Sequence, residues 1–144
     1  MIHFRNLQTY LESGMLFAKN NPNVQAGYRI SYDEIVDRRG TAEFTTPCGS
    51  NVNEFVPFYF SPSTKMAIAI HFGNVRLKAP NDTVLGVATM EDVAYLVVEP
   101  RVLFESGRQC WFTNIACNSA AYPPTYNDNQ AELETHVELS LIHI

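Results

Sequence analysis

Charge is scarce in this chain. Of 144 residues only 17% are Asp, Glu, Lys or Arg, and fifteen acidic residues outnumber ten basic ones for a formal charge of −5. A pI near 5.3 excludes affinity for nucleic acid by bulk charge, because Lys and Arg neutralising phosphates supply most non-specific binding. Any such contact has to be local. Cysteine is also scarce: Cys48, Cys110 and Cys117 form no CxxC pair. So odd and sparse a set excludes the stapled framework of a small secreted domain and fits a reducing, cytoplasmic compartment. No apolar run approaches the roughly eighteen residues of a membrane span. The start, Met1-Ile2-His3-Phe4-Arg5, lacks the basic-then-apolar order of a signal peptide, so neither membrane association nor targeting is expected. GxGxxG, GxxxxGK[ST], GxSxG and HExxH are all missing, and with them the signatures of dinucleotide folds, P-loops, esterase elbows and zincins. His3, His71, His136 and His143 show no ligand spacing among themselves or with the cysteines, so no metal is expected.

What is present is apolar material, 46% hydrophobic and 12% aromatic, enough for the core of one globular domain. Local signals predict a mixed α+β arrangement. Asn6 can cap a short helix carrying Leu7, Tyr10 and Leu11 on one face, ended by Gly14. Residues 19–27 read as a loop, being rich in Asn, Pro and Gly. Ser31 and Glu34 have capping-box spacing, so a second helix is expected over 32–38, stopped by Gly40. The aromatic run Phe55-Val56-Pro57-Phe58-Tyr59-Phe60 favours a strand, with Pro57 at its start, its edge or a bulge. Residues 66–72 fit a helix or a strand, with helix preferred. The run 93–98 reads as a strand covered on both faces. Pro100 opens and Gly107 closes a further helix, and 110–113 form another strand. No repeat or linker divides the chain.

Two features could carry chemistry: the helix-ending Asp37-Arg38-Arg39, and the aromatic run with its flank Ser61-Pro62-Ser63-Thr64-Lys65-Met66. In isolation the arginines read as a solvated helix end and the aromatics as core. A resemblance shifts that balance. Glu54-Phe55-Val56-Pro57-Phe58-Tyr59-Phe60-Ser61-Pro62, followed by Met66, resembles the D-Y-V-P-F-Y-F-x-P-x-S-P-M-L stretch of the DarT family of DNA ADP-ribosyltransferase toxins. In family order, His3-Phe4-Arg5-Asn6-Leu7 with Gly14 is similar to a T-H-x-D-N-L opening helix. Residues 35–39 are similar to I-x-x-R-R, and Phe112-Thr113-Asn114 to F-T-D.

The resemblance implies a mixed-sheet ADP-ribosyltransferase-like domain that takes NAD as substrate and thymine in single-stranded DNA as acceptor. It also implies a DarG-like macrodomain antitoxin as partner. Such chemistry breaks a glycosidic bond through an oxocarbenium-like transition state, so the site must hold a pyrophosphate and a ribose. Arginine suits the first task, since its planar fork pairs with phosphate oxygens and keeps its charge. By resemblance Arg39 is the active-site arginine, with Arg38 as its control. Residues 23–39 are the NAD-binding element, and Met1, Ile2, His3, Thr9, Phe17 and Tyr59 are further cofactor-binding positions. Ser63, Thr64, Lys65, Met66, Ala67 and Ile68 fall on the stretch that contacts single-stranded DNA, where stacking and polar groups grip a base without a strongly basic protein. Rival readings are a non-catalytic nucleic-acid-binding or interaction module, and an ADP-ribosyltransferase acting on protein or RNA.

The ends depart from the family pattern. His3 matches the second histidine of a Y-H-x-T-H segment, so the first would precede Met1, and Met1 is expected to be internal to a longer frame. Gln130-Ala131-Glu132 is similar to the R-Q-A-E strand that carries the catalytic glutamate, making Glu132 the candidate. The competing alignment puts 126–137 in the helix before that region and leaves this chain without the glutamate. Residues 139–144, Leu-Ser-Leu-Ile-His-Ile, resemble translated sequencing-adaptor DNA. The expected domain is therefore 1–138, truncated at both ends and inactive by itself.

Overall fold

A computed structural model describes residues 1–117, 119 and 122–133. The terminal segment 139–144 and the end of the stretch 126–137 lie outside the described residues. The architecture is α+β, with short helices and three small sheets whose strands all pair antiparallel among the described residues. In chain order the elements are β1 (Ile2–His3), α1 (Leu7–Ser13), β2 (Arg29–Ile30), α2 (Asp33–Arg39), α3 (Lys65–His71), β3 (Arg76–Lys78), β4 (Val84–Val87), β5 (Val93–Ala94), α4 (Pro100–Glu105), β6 (Phe112–Thr113) and β7 (Tyr126–Asn127).

Local chemistry explains the helix ends. Gly14 takes φ 64° after α1, the left-handed conformation that a Cβ would disfavour, and its N–H closes on the Tyr10 carbonyl. Thr64 caps α3 by accepting the Ala67 N–H, which decides the ambiguous stretch 66–72 in favour of helix. Pro100 opens α4 and Gly107 follows it at φ 69°. The Ser31 capping box does not form: Tyr32 is the cap residue of α2 and makes no side-chain cap bond. Instead Lys78 on β3 donates to Asp33 in the first turn of α2, and that bond, with the positive charge beside it, holds the Asp33 carboxyl below its usual range.

The central sheet has the order β2-β3-β4, with a bulge at Leu77/Lys78. α3 packs on it through Ile70, which with Val75 and Ala88 forms the innermost cluster, surrounded by Ile30, Tyr32, Met66, Ala69, Leu77 and Val93. This core is thin, and its thinness follows from two corrections to the sequence reading. The aromatic run 55–60 is extended but pairs with no strand among the described residues, and Phe58, Tyr59 and Phe60 stand 42%, 50% and 43% exposed. Aromatic content and β-branching favour a strand only where a partner supplies the ladder, and Pro57 withholds one donor of its own. The stretch 93–98 pairs only at Val93 and Ala94, because β1 offers two residues, and Val97 beyond it is 92% exposed. It is not a strand covered on both faces.

Candidate active site

The N-terminal segment builds a rigid wall. His3, 3% exposed, stacks on Phe4 on one side and on Tyr28 on the other, with ring centroids 5.0 and 4.7 Å apart. Its Nδ1 accepts the Arg5 N–H at 3.1 Å, so the neutral ring carries its proton on Nε2, which faces Asp92 Oδ1 at 3.7 Å. Arg5 in turn lies over the Tyr28 ring, 5.1 Å from its centroid. Met1 and Ile2 are half-buried beside it, Ile2 in register with Ala94 of β5.

Burial pushes the His3 imidazole below its ordinary value of 6.5, outweighing the Asp92 carboxylate, which raises it, while Arg5 adds to the depression. Unfolding then takes up a proton at mildly acid pH. Stability is complete above about pH 6.5 and falls as pH drops through that value toward the folded one, with a slope of at most about 1.4 kcal/mol per pH unit. Urea denaturation at stepped pH should show this slope in the native protein. It should disappear in His3→Asn, whose short acceptor still reaches the Arg5 N–H; an unchanged slope would assign the proton elsewhere.

A loop of residues 14–28 folds back onto α1, and the two enclose a cleft of about 40 Å³, lined by Asn6, Thr9, Tyr10 and Ser13 from the helix and by Met15, Phe17 and residues 24–27 from the loop. That volume admits a few waters and does not enclose a nucleotide. Burial raises the Tyr10 phenol above its ordinary value, leaving it a neutral donor at physiological pH. The loop is held by Asn6, whose Nδ2 donates to the Tyr28 carbonyl at 2.7 Å and whose Oδ1 accepts the Tyr28 N–H at 2.9 Å. Asn6 was legible only as a helix cap, and it makes no side-chain cap bond. Its partners lie 22 residues away, where no local pattern points.

Among the expected cofactor-binding residues, Thr9 and Phe17 line this cleft, Ile2 and His3 form the strand that precedes its helix, and Met1 lies just before that strand. Arg39 and Tyr59 do not line it. Arg39 ends α2 in a half-buried position, whereas Arg38 is exposed with its guanidinium 5.3 Å from the centroid of the buried Phe44 ring. The two arginines are thus separated by environment, Arg38 being spent on packing. Tyr59 lies on the extended aromatic segment, which leaves a short turn, residues 52–54, that contacts α2.

The stretch expected to meet DNA is split by α3. Ala67 is 8% exposed and Met66 packs against the core, while Thr64 is occupied as the helix cap. Ser63, Lys65 and the half-exposed Ile68 face outward. Nearby, the Tyr95 hydroxyl donates to the Pro62 carbonyl at 3.4 Å, tying the loop before α3 to the segment after β5. Glu132 sits in a short turn after β7, exposed, and its carboxylate accepts from the side-chain amides of Asn127 and Asn129, a local cap. Among the described residues no helix is long and apolar enough to cross a membrane.

Comparison with known proteins bears on this arrangement. A protein of Thermus sp. (strain 2.9) named DNA ADP-ribosyl transferase is 34% identical over 84 residues, covering 58% of this chain and 39% of that protein. One of the same name from Escherichia coli O127:H6 (strain E2348/69 / EPEC) is 26% identical over 96 residues, 65% of this chain and 44% of its own length. The chain thus spans about two fifths of the length of these curated relatives. No solved structure matches it significantly. The family described as "ssDNA thymidine ADP-ribosyltransferase, DarT" matches residues 1–143, and with the His3 wall, the α1 cleft and the arginine-ended α2 all inside that span, the chain belongs to the DarT family.

Proposed function

We propose that the complete gene product transfers ADP-ribose from NAD to thymine bases of single-stranded DNA, as the toxin of a pair whose macrodomain antitoxin, DarG-like, removes the mark. The observation that carries this reading is the family match over residues 1–143. Geometry supports it at three points. The α1 cleft offers Thr9, Tyr10 and Phe17 to one end of a nucleotide. The half-buried Arg39 at the end of α2 offers a fork to the pyrophosphate. Exposed Phe58, Tyr59 and Phe60 offer stacking surface to nicotinamide or to a base, with Ser63, Lys65 and Ile68 beside them for the strand. In the reaction the bond from ribose C1′ to nicotinamide breaks, nicotinamide leaves with the electron pair, and a thymine ring nitrogen attacks the opposite face, its N–H proton passing to water as the new N–C1′ bond forms. A carboxylate must stabilise the ribose cation, and within the described residues Glu132 is the candidate. An acceptor in cellular DNA places the reaction in the cytoplasm.

The test is incubation of the complete gene product with NAD labelled in the adenylate and with single-stranded oligonucleotides containing or lacking thymine, RNA, and unrelated protein. Label on thymine-containing DNA alone is the expected result. Label on protein or RNA would replace the acceptor, and binding of DNA without label would leave a non-catalytic module. Glu132→Gln, which keeps a side chain able to bond Asn127 and Asn129, should abolish the label if Glu132 supplies the carboxylate; full activity removes it from that role.

A further inference from the structure

We infer that Asn53 is a positioning residue for Arg39, setting the last turn of α2 and fastening the loop of the α1 cleft and the aromatic segment to the same point. The inference rests on the reading of Arg39 as the group that grips NAD. A helix leaves its last four carbonyls without partners inside the helix. At the end of α2 the chain tightens: the Gly40 N–H turns to the Asp37 carbonyl at 3.0 Å, and the Thr41 N–H and hydroxyl both go to Arg38. This takes from Val36 the N–H that a continued helix would have supplied. The Asn53 side chain replaces it, Nδ2 donating to the Val36 carbonyl at 3.1 Å. Val36 opens the turn that Arg39 closes, so a bond to its carbonyl holds the turn that carries Arg39.

Asn53 is 9% exposed, so a lost bond there is not replaced by water. The approach is close: a Cβ on Gly40 would lie 3.2 Å from both Asn53 Nδ2 and the Asp37 carbonyl, so these neighbours would have to give by a few tenths of an ångström. The backbone of Asn53 is used as well. Its N–H donates to Asn51 Oδ1 at 2.9 Å and its carbonyl accepts the Asn20 N–H at 3.1 Å. Asn20 belongs to the loop that covers the cleft, and Asn53 lies in the turn that leads into residues 55–60. One buried residue, through its side-chain amide and its backbone carbonyl, thus joins the helix end carrying Arg39 to the loop carrying Phe17 at the start of the segment carrying Tyr59. With Asp33 bound to Lys78 at the other end of α2, both ends of that helix are fixed, and Asn53 is the fixture nearer the arginine.

The deciding measurement is a double-mutant cycle on NAD affinity, read by NMR titration of the full chain, with Asn53→Leu and Arg39→Ala singly and together. Leu keeps the branched shape and removes the donor. Asn53→Leu is expected to weaken NAD about tenfold in the native background and less than twofold in the Arg39→Ala background, because the affinity it loses is carried by the arginine. A structural role alone would give equal losses in both backgrounds and would overturn the inference, as would native affinity in Asn53→Leu. If Arg39→Ala binds NAD as well as the native protein, the reading of Arg39 fails first and the inference falls with it. Should Asn53→Leu not fold by circular dichroism, Asn53→Ser, whose hydroxyl falls short of Val36, takes its place in the cycle, and the same pattern of losses supports or overturns the inference.

Discussion

Arg39→Ala is expected to weaken NAD binding by about ten- to a hundredfold, with a lower thermal midpoint beside it. The size follows from the bond being lost, since charge-assisted hydrogen bonds to an ionised group are worth about 1.5 to 3 kcal/mol. A cation at a helix C-terminus contributes about 0.3 to 1 kcal/mol through the dipole, and the half-buried Arg39 is engaged beyond that, so a loss of stability accompanies the loss of ligand. Transfer of ADP-ribose should fall at least as far as binding. Arg39→Lys should recover part of the affinity, because it keeps the charge and loses the planar fork. Arg38→Ala should spare the ligand. Its guanidinium covers the ring of Phe44, so truncation should cost about 0.5 to 1 kcal/mol of stability with NAD affinity retained. Titration calorimetry and thermal denaturation on the three variants separate these outcomes. Native affinity in Arg39→Ala would leave the proposed function without its main binding group.

The parts of the fold that the amino-acid pattern anticipates are those governed by chemistry within one turn of chain. Gly14, Pro100 and Gly107 mark helix ends because their backbone preferences are intrinsic, and the structure uses each of them there. Stretches 55–60 and 93–98 mislead for a shared reason: strand composition records a preference for a pleated, covered surface, while the partner that would cover it is elsewhere in the chain. The same division holds for the site. Arg39 is legible as a charged residue at a helix end. Asn6 and Asn53 act through bonds to residues 22 and 17 positions away, and an asparagine in a loop carries no mark that tells such a clamp from a turn.

The loop clamp predicts a second large effect. Gly27→Ala should release residues 14–28 from α1, raise proteolytic cutting within residues 18–26, and weaken NAD about tenfold or more. Backbone strain is not the cause, since the left-handed glycines of this chain are others. The obstacle is space: a Cβ on Gly27 would lie 2.8 Å from Asn6 Oδ1 and 3.1 Å from its Cγ and Nδ2, and Asn6 cannot move aside without giving up both bonds to Tyr28. Each such bond, half shielded from water, is worth about 0.5 to 1.5 kcal/mol. Losing the pair is enough to open a surface loop without unfolding the core, which is centred on Ile70, Val75 and Ala88. Asn6→Ala should produce the same cutting pattern. The double variant is the sharper test, because the three atoms nearest the new methyl all belong to the Asn6 side chain. With that side chain gone, Gly27→Ala should add nothing to the cutting rate. Additive rates would mean that the Tyr28 end of the loop is held to α1 by something other than the Asn6 side chain.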